Sequence, residues 1–163
     1  MNTSINHPGV GYATEAYLYA GLAQLTGLTA LKALVVSANS WDLTGTRVTD
    51  TGLAHLTGLT ALERLTLVAT QVTDAGLAHL AGLTGLKYLV LNRTAITGPG
   101  LAHLAGLTAL EHLDLSYNEV ADAGLVHLAG LTALKYLNLS RTQVTDVGVA
   151  ELQTALPNCR IET

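Results

Sequence analysis

Gly52–Ala75 reads GLAHLTGLTALERLTLVATQVTDA, and it recurs almost unchanged from Gly76, Gly100 and Gly124. A looser copy begins at Gly21 and a shortened one at Gly148, and the starts from 52 to 148 keep a strict period of 24 residues. Self-similarity at this period marks a solenoid, in which each unit buries its apolar face against its neighbours. The 163 residues are therefore one array rather than one globular core.

Within the unit, Leu65 and Leu67 of LERLTL are two apart, the alternation of a strand. Val72 adds a core position after a turn. Thr73-Asp74 is expected to open a helix, with Thr as N-cap and Asp at the positive end of the dipole. Leu77 and Leu80 face inward from that helix, Gly82 is expected to end it in a left-handed conformation, and Leu83 and Leu86 return the chain to the next strand. The fold class that follows is α/β, a right-handed solenoid with a parallel sheet on one side and short α-helices on the other. Strands sit about 4.8 Å apart and helices about 8–10 Å, so the stack bends with the sheet on its concave face.

The segment Leu62-x-x-Leu65-x-Leu67-x-x-Thr70-x-Val72 resembles the leucine-rich repeat pattern L-x-x-L-x-L-x-x-N-x-L. The following Thr-Asp-x-Gly-Leu-Ala-x-Leu segment is similar to bacterial, helix-bearing repeats of short period, of the GALA or ribonuclease-inhibitor-like kind. The resemblance spans about residues 21–161. It implies a non-enzymatic scaffold for protein–protein recognition. The Asn of that pattern survives at Asn118 and is Thr at Thr46, Thr70, Thr94 and Thr142, so a ladder that bonds less fully than an Asn ladder is expected.

The domain organisation expected is an N-terminal helical cap over residues 1–20, five repeats over 21–147 and a C-terminal cap over 148–163. The first repeat carries seven extra residues at Ala38–Thr44, ANSWDLT, with the only tryptophan, Trp41. In the last segment PNCRIET stands where a full strand unit would be, with Cys159 at the place of the first conserved Leu.

Composition narrows the function classes. A formal charge of −4 argues against a nucleic-acid binder. One cysteine excludes an internal disulfide framework and any multi-cysteine metal site. No apolar run approaches membrane-span length and the start MNTSINHPGV lacks a leader's pattern, which favours a cytoplasmic location. No phosphate-binding glycine loop occurs, and no cofactor or metal is expected.

Stacking aligns the variable positions into columns. The residue before the first strand Leu gives Arg64, Tyr88, His112 and Tyr136; the next outward position gives Thr66, Val90, Asp114 and Asn138. Val68, Asn92, Ser116 and Ser140 follow, then Ala69, Arg93, Tyr117 and Arg141 at the rim. Strand side chains alternate, so these columns are expected on the concave face. Tyr and Arg are the residue types that anchor protein interfaces. The partner-binding set expected is Arg64, Tyr88, Arg93, His112, Asp114, Tyr117, Tyr136, Asn138 and Arg141, with Trp41 and Asp42 as a rim loop. A solvated sheet that merely tolerates polar residues is the plainer reading of the same columns.

His112, Asp114 and Ser116 invite comparison with a catalytic triad, but a triad places His between Ser and Asp, and here Asp is in the middle. His55, His79, His103 and His127 form a helix-side column too widely spaced for one zinc. Lys32, Glu63, Lys87, Glu111 and Lys135 alternate in sign along the sheet and are expected to pair laterally. The function expected is recognition of an unidentified protein partner by a chain that is monomeric or associates end to end. The alternatives are an engineered or fragmentary solenoid without a ligand, a glycan or small-ligand module, and an effector or ubiquitin-ligase substrate receptor.

Overall fold

The computed structural model describes residues 22–23, 25–37 and 48–163. Six strands form one sheet in chain order, every neighbouring pair parallel: β1 (Ala33–Ser37), β2 (Arg64–Val68), β3 (Tyr88–Val90), β4 (His112–Asp114), β5 (Tyr136–Asn138) and β6 (Arg160–Glu162). Arg64 pairs with Tyr88, 24 positions on, whereas Ala33 pairs with Arg64, 31 on, so the longer first turn rejoins the common register. The terminal PNCRIET is not a strandless end. Arg160–Glu162 pairs with Tyr136–Asn138 as any other turn does.

The return path of each turn is a spiral of period three. Leu77, Leu80, Leu83, Leu86 and Leu89 are all fully buried, as are Leu101, Leu104, Leu107, Leu110 and Leu113. The N–H of Leu83 donates to the Leu80 carbonyl and that of Leu86 to the Leu83 carbonyl, each at 2.9 Å. The expected helices are accordingly tighter than α. Gly76–Leu80 and Pro99–Leu104 are 3-10 throughout. The short helices α1 (Asp50–Leu53) and α2 (Asp122–Leu125) each make one α turn and continue as 3-10 through Leu56 and Leu128. Among the described residues only α3 (Asp146–Ala155) is a regular helix of 10 residues. The cause is the Leu spacing itself, because residues three apart align in a helix of three residues per turn.

The Thr-Asp pair works between turns as well as in capping. Asp50 accepts the Thr73 backbone N–H at 2.8 Å and the Thr73 hydroxyl at 2.7 Å, and Asp122 does the same for Thr145 at 2.8 and 2.6 Å. Asp74 accepts from the Thr97 N–H and hydroxyl and from the N–H groups of Gly98 and Gly100. Burial alone raises its carboxyl, yet these donors hold it below the ordinary carboxylate range. Of the expected Thr caps, Thr73 accepts the Ala75 N–H at 3.2 Å and Thr145 the Gly148 N–H at 3.3 Å, while Thr49 makes no side-chain cap bond. One rung is missing as a pair. Gly98 stands where the Asp falls, and Ala121 where its Thr would be. There the backbones meet directly, and a Cβ on Gly124 would lie 2.9 Å from the Gly98 Cα.

That ladder explains the glycine column. A Cβ on Gly76 or Gly148 would strike the carboxylate of Asp50 or Asp122, and one on Gly100 would strike the Asp74 backbone. The expectation for Gly82 fails. Among the described glycines only Gly27 and Gly98 have positive φ, and a Cβ on Gly58, Gly82, Gly106 or Gly130 would meet nothing within 4 Å. The left-handed residues are instead Ala69, Arg93, Tyr117 and Arg141, with φ of 54, 55, 56 and 60°. They make the sharp turn out of the sheet, while 3-10 helices end through continued i+3 bonds that need no left-handed residue.

The Thr and Asn positions differ as expected. The Thr70 and Thr142 hydroxyls donate within their own turns, to Leu67 and Leu139 carbonyls. The buried Asn118 joins two turns. Its Oδ1 accepts from the N–H groups of Thr94 and Ile96 and from the Thr94 hydroxyl, and its amide donates to the Leu91 and Leu115 carbonyls at 2.8 and 3.0 Å. Asn118→Ala leaves several buried partners unmet and is expected to lower stability by about 2–4 kcal/mol. Asn118→Thr is expected to restore part of that loss, since Thr serves in the neighbouring turns. Urea midpoints of the two variants check it.

The charge ladder forms in part. Glu63 takes Lys32 at 3.0 Å and Lys87 at 3.1 Å, leaving Glu111 to Lys135 at 2.7 Å. Both lysines hold Glu63 below its ordinary range, and Lys135 does so for Glu111. Cys159 is buried, its N–H donating to the Leu156 carbonyl as that of Leu134 does to Leu131, and burial pushes its thiol up. Among the described residues no helix is long and apolar enough to cross a membrane.

Candidate functional site

The first outward column forms a continuous stack across four strands. The Arg64 guanidinium lies 4.1 Å from the Tyr88 ring centroid. Tyr88 stacks on His112 at 5.6 Å and 26°, and His112 on Tyr136 at 4.6 Å and 16°. Parallel pairing in register is what makes this possible, since the strand spacing of about 4.8 Å is also an aromatic stacking distance. Each ring is half-buried by its neighbours and open on its outer side. At the far end the Tyr136 hydroxyl donates to Glu162 Oε2 at 2.6 Å, and Arg160 pairs with the other Glu162 oxygen. That hydrogen bond raises the Tyr136 hydroxyl above its ordinary value.

Sequence reasoning missed Arg160 and Glu162, because the closing turn was not read as a strand. Their offset of 24 from Tyr136 and Asn138 was the available signal.

The second outward column serves the turn that follows. Asp114 Oδ1 accepts the Ser116 N–H at 2.9 Å and the Ser116 hydroxyl at 2.6 Å, and Asn138 Oδ1 accepts the Ser140 N–H at 3.0 Å. Ser116 is only 3% exposed and its hydroxyl is held by Asp114, not by His112. The three residues therefore lack a triad's order. At the rim, the Arg93 guanidinium lies 4.6 Å from the Tyr117 centroid, with Arg93 and Arg141 exposed and Tyr117 49% exposed. The structure thus gathers Arg64, Tyr88, His112 and Tyr136 into one stack and Arg93 with Tyr117 into a second. Asp114 and Asn138 brace turns instead. Trp41 and Asp42 of the expected rim loop, the 1–20 segment and Thr46 lie outside the described residues.

The rim residues hold a sparsely populated backbone. A left-handed non-Gly residue costs about 1–2 kcal/mol, and Gly, Asn or Asp takes that conformation most cheaply. Ala69 shares it, so the repeat's turn dictates the conformation and the side chain does not.

His112 lies below its ordinary value of 6.5, because burial between the rings outweighs the attraction of Asp114. Near and below that value the unfolded chain binds more protons at this position than the folded one. The stability that neutral His112 contributes is therefore present above 6.5 and lost as pH falls through its lowered folded value. The imidazole is expected to titrate below 6.5 by NMR, and the urea midpoint to drop over that interval less steeply in His112→Gln.

Among the described residues no group of three or more His, Cys, Asp or Glu side chains could hold a metal ion. Surface hollows along α3, lined by residues such as Val147, Ala150 and Glu151, lie on the helix side and hold none of the stacked residues.

A parallel sheet laid down one strand per repeat, with a variable face stacked across strands, defines a solenoid scaffold. The leucine rich repeat family model matches residues 60–120 and again 84–144, together more than half of the chain. This chain belongs to the leucine-rich repeat family. Internalin C2 of Listeria monocytogenes is similar over 86% of this chain and 54% of its own length, at 32% identity and a TM-score of 0.68. A second Listeria monocytogenes internalin, inlF, is 24% identical with a TM-score of 0.70, over 86% of this chain and 36% of that one. A leucine-rich-repeat protein of Leptospira interrogans is 18% identical with a TM-score of 0.56, over 86% and 39% of the two chains. The latter two likenesses speak to fold alone. The chain spans about a third to a little over half of these relatives. No curated protein sequence matches it. Leucine-rich repeat proteins are generally non-enzymatic scaffolds for protein interaction.

Proposed function

We propose that this solenoid recognises a protein partner through its strand face, with Arg64, Tyr88, His112 and Tyr136 as the central contact and Arg93, Tyr117 and Arg141 at the rim. The observation that carries the reading is the four-strand stack Arg64–Tyr88–His112–Tyr136. Adjacent large side chains on an open sheet, ordered against one another before binding, lose little entropy when a partner covers them. Tyr and Arg at the centre of an interface carry most of its energy. The surface is a ridge of rings, suited to a protein face or an extended segment. Tyr88→Ala with Tyr136→Ala is expected to abolish partner capture while leaving the fold intact. Retained capture by a folded double variant overturns the proposal.

A further inference from the structure

The rim column departs from what its backbone asks for. Ala69, Arg93, Tyr117 and Arg141 all sit at φ of 54–60°. Gly, Asn or Asp fits that conformation best, yet three successive turns carry Arg, Tyr and Arg. Burial does not compensate, since all three are exposed and only Arg93 and Tyr117 touch through a cation–ring contact. Ion pairing does not compensate either. Every salt bridge among the described residues is Lys to Glu, apart from Arg160 with Glu162, so Arg93 and Arg141 form no ion pair there. The strand acids are engaged elsewhere: Glu63 and Glu111 by lysines, Asp114 by Ser116, and Glu162 by Arg160 and Tyr136, while the exposed Glu119, two residues beyond Tyr117, pairs with neither guanidinium. A chain of net charge −4 thus presents two guanidiniums without ion pairs on either side of one tyrosine.

We infer that Arg93, Tyr117 and Arg141 anchor an acidic segment of a protein partner, the two guanidiniums taking its carboxylates and Tyr117 the side chain between them. The inference rests on the reading of the strand side as the binding face and adds the partner's chemistry. Arg93 and Arg141 are two strands apart, about 9–10 Å. That matches two acidic residues separated by two others in a polyproline-II-like segment, which turns once every three residues at about 3.1 Å per residue and so points both the same way. Guanidiniums match carboxylates as two-point donors. Phosphate polymers fit less well, because the net negative charge of the chain repels a long polyanion.

The test is an NMR titration of the intact chain with the peptide Gly-Glu-Ala-Ala-Glu-Gly, its Gln counterpart, a heparin fragment and a short DNA duplex. The Glu peptide is expected to shift the amides of residues 93, 117 and 141 with a dissociation constant on the order of 1 mM or tighter. Arg93→Gly with Arg141→Gly is expected to weaken it at least about tenfold. The same substitutions, and Tyr117→Gly, relieve the left-handed backbone and are expected to raise Tm by about 2–4 °C each. No shift at these amides, an equal response to the Gln peptide, stronger binding of heparin or DNA, or a fall in Tm overturns the inference. If it fails while Tyr88→Ala with Tyr136→Ala still abolishes partner capture, the strand-face reading stands without it; if that capture also survives, both fail.

Discussion

Gly100→Ala is expected to lower stability by at least about 3 kcal/mol, the largest effect of a single methyl added at any described glycine. The new Cβ would lie 2.5 Å from the Asp74 Cα and 2.6 Å from its carbonyl oxygen. Backbone cannot swing aside as a side chain can. The Pro99–Leu104 helix must lift away from the turn before it, and the bonds that Asp74 accepts from Thr97, Gly98 and Gly100 lengthen together. Because each turn contacts only its neighbours, the damage is local in position but breaks the array in the middle. Gly76→Ala meets side chains alone, the Asp50 carboxylate and, at 3.2 Å, Val72 Cγ1; the carboxylate can rotate at the expense of its bonds to Thr73, so a smaller loss is expected. Gly106→Ala meets nothing within 4 Å and should be neutral or stabilising by about 0.4–1 kcal/mol. Denaturant unfolding of the three variants checks the order, and equal losses would contradict the contact geometry.

Removing the stacked rings is expected to have the largest effect on binding. Tyr88→Ala with Tyr136→Ala strips both faces of His112 and leaves Arg64 without the ring it lies on. Central anchors of this kind each cost about 2 kcal/mol or more when truncated, so the pair should weaken a partner by several hundredfold or more. Neither ring enters the leucine core, which is closed beneath the sheet by Leu89, Leu113 and Leu137. Circular dichroism and the thermal transition should therefore stay close to those of the parent chain. His112 should titrate nearer 6.5 once its rings are gone, which reports the loss of the stack independently of any partner.

The repeat made much of this legible before any coordinates. A period of 24 with Leu at three-residue spacing followed by Leu65 and Leu67 two apart places strand, core and outward columns, and the columns put Tyr88, His112 and Tyr136 side by side. What escaped was set by turns touching one another. Thr73 makes the local cap its pattern announces, accepting the Ala75 N–H at 3.2 Å, but the pair's second use, joining Asp50 to Thr73 across 23 residues, is not local. The joint absence at Gly98 and Ala121 was a visible trace of that link. Gly82 draws the eye as a left-handed residue, while the turn that needs one falls at Ala69, Arg93, Tyr117 and Arg141, where no glycine marks it. Pairing energies in Asp114 and Asn138 likewise went to Ser116 and Ser140, a short-range choice that columns alone do not reveal.

The most direct test of strand-face recognition is affinity capture with three immobilised forms of the chain, read by quantitative mass spectrometry. The forms are the parent, Tyr88→Ala with Tyr136→Ala, and Val126→Gln on the exposed helix side. The proteins enriched by the parent are expected to persist with Val126→Gln and to vanish with the double variant, all three being folded. Enrichment that survives loss of the rings, that disappears with Val126→Gln, or that never rises above bare matrix would contradict recognition through this face.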